Sequence, residues 1–175
     1  NADNSPSQGI QKSTDRGATW TRVGLDDKVR IYGNEAQRWG GERLAVDPNN
    51  SDIIYYASRI DGLWRCEQAS LLEENPDSWV KVSDEIIGNN KQASAFIAFD
   101  KNSVADGRTQ TIYAGAWNAG VFVSNDARNT WTKIPGSPAQ PLRGVVASDG
   151  TLYLSHQSGV AIRTEHGRIL RSEEH

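Results

Sequence analysis

Cysteine is almost absent from this chain: one residue, Cys66, in 175. A lone thiol makes no intrachain disulfide, so packing and hydrogen bonds must hold the fold, and paired-cysteine metal or redox motifs are excluded. Methionine is missing altogether, and the chain begins at Asn1, which suggests a processed or excised segment. The three histidines, His156, His166 and His175, have no Cys or acidic partners at ligand spacing, so no metal site is expected. No apolar run approaches the ~18 residues of a membrane-spanning helix, and no membrane association is expected. An excess of basic charge is lacking too: 19 Lys and Arg stand against 22 Asp and Glu, for a net charge of −3. No basic cluster interleaves with aromatics, which disfavours nucleic acid as a partner. With no Gly-rich phosphate loop, His-Glu-x-x-His or Gly-x-Ser-x-Gly segment present, no cofactor is expected.

Glycine and tryptophan, by contrast, are plentiful at 16 and six. Two segments share the pattern Ser-x-Asp-x-Gly-x-x-Trp: Ser13–Trp20 and, with Arg128 in the glycine slot, Ser124–Trp131. That spacing suits a tight hairpin in which Ser and Asp oxygens accept turn amides and Gly takes positive φ. Both copies end a larger unit. A glycine followed by a short β-rich run recurs at Gly9, Gly62, Gly120 and Gly159, and Cys66 fills the slot held by Ser13 and Ser124 elsewhere. A second β-rich run precedes the later copies at Ile53–Ser58, Thr111–Ala116 and Thr151–His156. Before each of those stands an apolar stretch leading to Asp and a turn, at Asp47, Asp100 and Asp149.

Four short antiparallel strands repeated every ~40–50 residues indicate an all-β fold of β-propeller blades. Residues 9–23 supply half a blade, 42–82 and 93–134 one blade each, and 143–170 most of another. Residues 1–175 thus read as a single partial propeller domain of about three and a half blades. An open β-sandwich with similar strand spacing is the competing architecture. Trp20, Trp79 and Trp131 fall at equivalent places on the last strand of their blades and, with Trp64 on another of the repeat's strands, are assigned to the core.

Chemistry is harder to find. Asp15 and Asp126 serve the hairpins, and Asp47, Asp100 and Asp149 begin turns, so turn-making explains most of the carboxylates. Glu42 and Arg43 open an inner strand, where side chains face the channel mouth. Trp39 and Trp117 fall in loops, where an aromatic beside polar groups can stack on a sugar ring. Arg38, Trp39, Glu42, Trp117 and Asn118 are therefore the candidate contact surface, expected on one face. A structural ion pair at Glu42 and Arg43 is the simpler alternative.

Taken in order, Gly9–Trp20, Gly41–Asn50, Gly62–Arg65, Gln110–Gly115 and Val146–Tyr153 resemble successive segments of family 74 glycoside hydrolases, the xyloglucanases. The match runs over about residues 9–163. It implies part of an N-terminal seven-bladed propeller with hairpin repeats of the Asp-box (BNR) type, paired in the family with a second propeller across a xyloglucan cleft. It also implies inverting hydrolysis, which needs one carboxylic acid on the leaving oxygen and one carboxylate activating water. In the family these acids lie in an upstream Thr-Asp-Ile-Gly-Gly segment and in the other propeller. Neither segment is in this sequence, so no catalytic residue carries over. The sequence departs from the family at Pro141–Gly144, where a histidine pair is usual, at the short loop Ser155–Gly159, and at the acidic insertion Leu72–Asp77.

Two functions follow as expectations. One is a portion of a secreted or periplasmic xyloglucanase-like enzyme that lines a β-glucan cleft without supplying the acids. The other is a non-catalytic Asp-box propeller module that binds glycan or protein. Either way, a second copy or the remainder of a parent chain is the partner needed to close the ring.

Overall fold

The computed structural model describes residues 9–25, 43–58, 61–83, 86, 94–127, 130–163 and 169–171. Short β-strands joined by turns make up the regular structure of that length, apart from one 3-10 turn. A first hairpin joins β1 (Gln11–Lys12) to β2 (Thr21–Arg22). Next comes the sheet β3 (Arg43–Asp47), β4 (Asn50–Ala57), β5 (Leu63–Cys66) and β6 (Trp79–Ser83), paired in that order, with a single 3-10 turn at Ala69–Leu71. The following sheet opens with β7 (Ser94–Phe99), from which a two-stranded excursion of β8 (Val104–Ala105) and β9 (Arg108–Thr109) projects. That sheet then continues through β10 (Ile112–Ala116), β11 (Gly120–Ser124) and β12 (Thr132–Lys133). The last sheet runs β13 (Pro141–Val146), β14 (Leu152–His156), β15 (Gly159–Arg163) and β16 (Ile169–Arg171). All pairs within these sheets are antiparallel. The first strands β3, β7 and β13 lie side by side, as the innermost strands of successive propeller blades do.

The chain is thus all-β and forms part of a propeller, as its repeats imply. Its local cause is visible in the first hairpin. The Asp15 carboxylate accepts the Thr19 amide at 2.9 Å and the Thr19 hydroxyl at 2.6 Å, while Ser13 Oγ donates to it at 2.8 Å and accepts the Gly17 amide at 2.7 Å. Gly17 sits at φ +89°, which an L side chain rarely adopts. Asp126 repeats the motif, accepting from the Ser124 hydroxyl at 2.8 Å and from the Thr130 hydroxyl at 2.9 Å.

Register aligns the repeats. Cys66 pairs with Trp79, and one step beyond the Lys12–Thr21 and Val123–Thr132 pairs stand Ser13 opposite Trp20 and Ser124 opposite Trp131. The three tryptophans occupy equivalent places, but their surroundings differ. Trp79 is buried and its Nε1 donates to Val23 O at 3.2 Å, Trp131 is half-buried against the core between the two middle sheets, and Trp20 is 63% exposed. The expectation of a core role therefore fails for Trp20. Trp79 and Trp131 pack toward the sheet before their own, and nothing described precedes the first hairpin.

Three cores lie between successive sheets. Ile10, Val23 and Leu25 meet Ile54, Tyr56 and Trp79; Tyr55, Ala57 and Leu63 meet Ile112, Ala114 and Phe122; and Phe96, Ala98 and Tyr113 meet Leu152 and Leu154. Alternate residues of each strand go to opposite faces, so each of the two middle sheets contributes to two cores, while the first hairpin and the last sheet contribute to one each. The third core has a tight fit: a Cβ at either Gly115 or Gly144 would come within 2.4 Å of the Phe96 ring. One glycine belongs to the same sheet and the other to its neighbour, and the ring fills the space that both leave.

Turns also cross between sheets. Asp47 Oδ1 accepts the Asn49 amide at 2.9 Å, and Asn49 Nδ2 donates to Lys101 O in the next sheet's turn, also at 2.9 Å. One unit later Asp100 accepts the Asn102 amide at 3.1 Å, and Asn102 Nδ2 donates to Ser148 O at 2.5 Å. Asp47 is itself buried, holding the Thr109 amide at 3.0 Å and hydroxyl at 2.6 Å.

Candidate functional site

The first strands and the turns joining second to third strands meet at one end of the sheets, because Arg43 pairs with Ala57 and Pro141 with His156. Close to this end, a groove of about 480 Å³ runs across β3, β7 and β13 to β14 and β15. Its polar groups are Arg43, Arg143 and Ser155, and its walls include Leu44, Phe96, Val145, Tyr153 and Val160. Arg43 Nε donates to Ala95 O at 2.9 Å, which ties the first strands of two sheets together. Arg143 is exposed and stands opposite Ser155 in the ladder, and Tyr153 stands opposite Val145. Guanidinium and hydroxyl donors beside an apolar floor suit a neutral, hydroxyl-rich ligand or an anion.

Of the residues singled out from the sequence, Arg38, Trp39 and Glu42 lie outside the described residues. Trp117 and Asn118 sit in the turn between β10 and β11, where the Ala119 amide donates to Ala116 O at 3.0 Å and Asn118 takes φ +60°. Trp117 is only 9% exposed, so little of its indole is open to a ligand. Asn118 is half-buried, and its Oδ1 accepts from Gln140 Nε2 at 3.0 Å. Gln140 O in turn accepts the Gln157 amide at 3.2 Å, which links this turn to the corresponding one in the last sheet. Arg143 and Tyr153 were not singled out from the sequence. The sequence Pro141–Val146 carries no alternation that marks them; the ladder with β14 brings Arg143 opposite Ser155 and Tyr153 opposite Val145.

Asp15, Asp52 and Asp149 behave as structural acceptors. Hydrogen bonds from the Thr19 hydroxyl and amide and from Ser13 hold Asp15 down at about 2. Bonds from Ser70 hold Asp52 below the ordinary carboxylate range, and bonds from Thr151 do the same for Asp149. A general acid must keep its proton near neutral pH, and these groups are shifted the other way. Burial raises Tyr55 to about 12, and its hydroxyl donates to Ala127 O at 2.7 Å, again a structural bond between sheets.

No family model matches the chain. It is 39% identical over 163 residues to a xyloglucanase of Paenibacillus sp, covering 86% of this chain and 16% of that protein. To the xyloglucanase Xgh74A of Acetivibrio thermocellus it is 37% identical over 159 residues, covering 84% and 19%. To a xyloglucanase of Hypocrea jecorina it is 35% identical over 171 residues, covering 88% and 20%. The chain thus spans a fifth or less of the length of these relatives. The crystal structure of the Niastella koreensis GH74 enzyme matches with a TM-score of 0.78 at 32% identity, over 93% of this chain and 25% of that one. The GH74 xyloglucanase of Xanthomonas campestris matches at 0.74 with 28% identity, over 92% and 26%.

Proposed function

Over most of its length this chain resembles the family 74 glycoside hydrolases, and we propose that it is a portion of the propeller of a secreted xyloglucanase-like enzyme. In this reading it lines a β-glucan cleft and leaves the catalytic acids to other parts of the polypeptide. The observation that carries it is the 39% identity to a xyloglucanase across 86% of the chain. The groove at the first-strand end, with Arg43 and Arg143, supports a contact role for this end, whereas Tyr153 occupies the place of the core residues Tyr55 and Tyr113. Arg38, Trp39, Glu42, Trp117 and Asn118 are proposed as contributors there, Trp117 mainly as backing because it is buried.

The hydrogen bonds that lower Asp15, Asp52 and Asp149 argue against these three as the leaving-group acid. The test is reducing-sugar release from xyloglucan by the 175-residue chain and by the complete gene product. Activity is expected only from the complete product. Hydrolysis by the 175-residue chain that a carboxylate substitution within it abolishes would overturn the assignment. A complete product that binds xyloglucan and cleaves nothing would favour the non-catalytic module.

A further inference from the structure

The turns that join second to third strands in the four-stranded sheets are held in two ways. In the β4–β5 turn the Asp61 amide donates to Ser58 Oγ at 3.1 Å, and in the β14–β15 turn the Ser158 amide donates to His156 Nδ1 at 3.3 Å. Each of those turns carries a side-chain acceptor of its own. The β10–β11 turn, with Trp117 and Asn118, is gripped from outside, by the connection that runs from β12 to β13. Ser137 Oγ accepts the Val121 amide at 3.0 Å on one side, and Gln140 Nε2 donates to Asn118 Oδ1 at 3.0 Å on the other.

The grip is close and stiff. Asn118 takes φ +60°, a left-handed conformation that is uncommon outside glycine and persists where the surroundings hold it. A Cβ at Gly120 would come within 2.8 Å of Ser137 Oγ, so connection and turn meet with no room for a side chain between them. Pro138 and Pro141, both buried, fix φ along the connection, and the Ser137 amide donates to Ile134 O at 3.2 Å. Gln140 O also accepts the Gln157 amide at 3.2 Å, so one residue spans two neighbouring turns.

We propose that Gln140 is a positioning residue of the glycan contact surface, holding the Trp117–Asn118 turn at the place where Asn118 meets a sugar hydroxyl. The proposal rests on the reading of this end of the sheets as lining a β-glucan cleft. Gln140 acts through Asn118 and is not itself the contact. A hydrogen bond to a hydroxyl is short and directional, so a turn displaced by about 1 Å forfeits it. The two turns with acceptors of their own keep their shape locally, whereas this one depends on its neighbour, which makes Gln140 the residue whose loss is felt at a distance.

Steady-state hydrolysis of xyloglucan by the complete gene product tests this, read beside hydrogen exchange of residues 116–121. Gln140→Ala is expected to raise KM about five- to tenfold, leave kcat within about twofold and speed exchange of that segment. A rise in KM at constant kcat marks lost binding, which a residue serving stability alone would not produce. Gln140→Glu has the same reach, and its carboxylate accepts from Asn118 Nδ2 once that carboxamide turns over. A sugar hydroxyl both donates and accepts, so the reversal is tolerated, and exchange and KM should return to within about twofold of the unsubstituted values. Unchanged exchange or an unchanged KM in Gln140→Ala would overturn the proposal. Restored exchange with KM still raised in Gln140→Glu would overturn it too, by separating the contact from the turn's position. Ser137→Ala loosens the same turn from its other side and repeats the measurement should Gln140→Ala fail to fold. For a product that binds xyloglucan and does not cleave it, Kd is read in place of KM. An unsubstituted product that does neither sinks the functional reading itself, whereas failure of this inference alone shows only in the variants.

Discussion

The hairpins that end at Trp20 and Trp79 share a register and differ in everything around it. The first has the full Ser13–Asp15–Thr19 network, yet its tryptophan stands 63% exposed. The second lacks the Ser-x-Asp-x-Gly pattern. Cys66 fills the Ser slot, with its Sγ accepting the Gln68 amide at 3.3 Å, and an insertion through Leu72 and Asp77 replaces the tight loop. Its tryptophan is nonetheless buried. Turn chemistry and tryptophan packing are therefore separate matters in this fold: the strand's own sequence makes the turn, and the neighbouring sheet makes the burial.

That separation is open to test, and substitution of the two tryptophans carries the largest effect. Trp79→Ala removes a side chain packed among Ile10, Val23 and Tyr56 together with its bond to Val23 O, and should cost about 3–5 kcal/mol. Trp20→Ala should stay within about 0.5 kcal/mol. Urea unfolding of both variants checks the pair, and equal losses would mean that position in the repeat, and not the neighbour, governs. Next in size is Gly144→Ala, a residue whose identity is dictated by the adjoining sheet. The added methyl would press on Phe96 and should destabilise by about 1–3 kcal/mol. Pairing it with Phe96→Leu should recover part of that loss in the same measurement.

The smallest effect belongs to the local side of the comparison. Asp15 is held at about 2, below the ~3.9 of an unfolded chain. Its contribution is fully present above about pH 4 and drains away as pH falls toward 2. An NMR titration of the Asp15 carboxyl should show a midpoint near 2, with the Thr19 amide shift moving alongside it. A midpoint near 4 would mean that the turn network does not hold in solution.

Much of the fold was legible because its causes are local. Glycines at positive φ, such as Gly17, Gly62 and Gly120, punctuate the strands, and β4 and β10 carry runs of small and apolar residues because both of their faces are buried. The alignment of Cys66 with Ser13 and Ser124 was readable for the same reason. What escaped depends on partners remote in sequence. Trp20 has the same sequence surroundings as Trp131 and a different neighbour, and no pattern within the repeat distinguishes the two. Trp117 reads as a loop aromatic because Asn118 and Gly120 make a turn, but it is buried, as is Ala116 before it. The groove depended on Arg143 meeting Ser155, a pairing that register alone reveals.

Asn49 and Asn102 have a consequence that extends past the bonds they make. Each is pinned by an aspartate of its own turn, and each reaches a carbonyl of the following unit, Lys101 O in one case and Ser148 O in the other. A side chain of fixed reach that lands on the adjoining backbone acts as a gauge, setting the angular step from one unit to the next. Because the gauge is encoded inside the repeat, a tandem duplication copies it along with the strands. A newly duplicated unit would arrive already set at the angle its neighbours use, which lets an array of this kind grow by whole units without redesigning the joints between them.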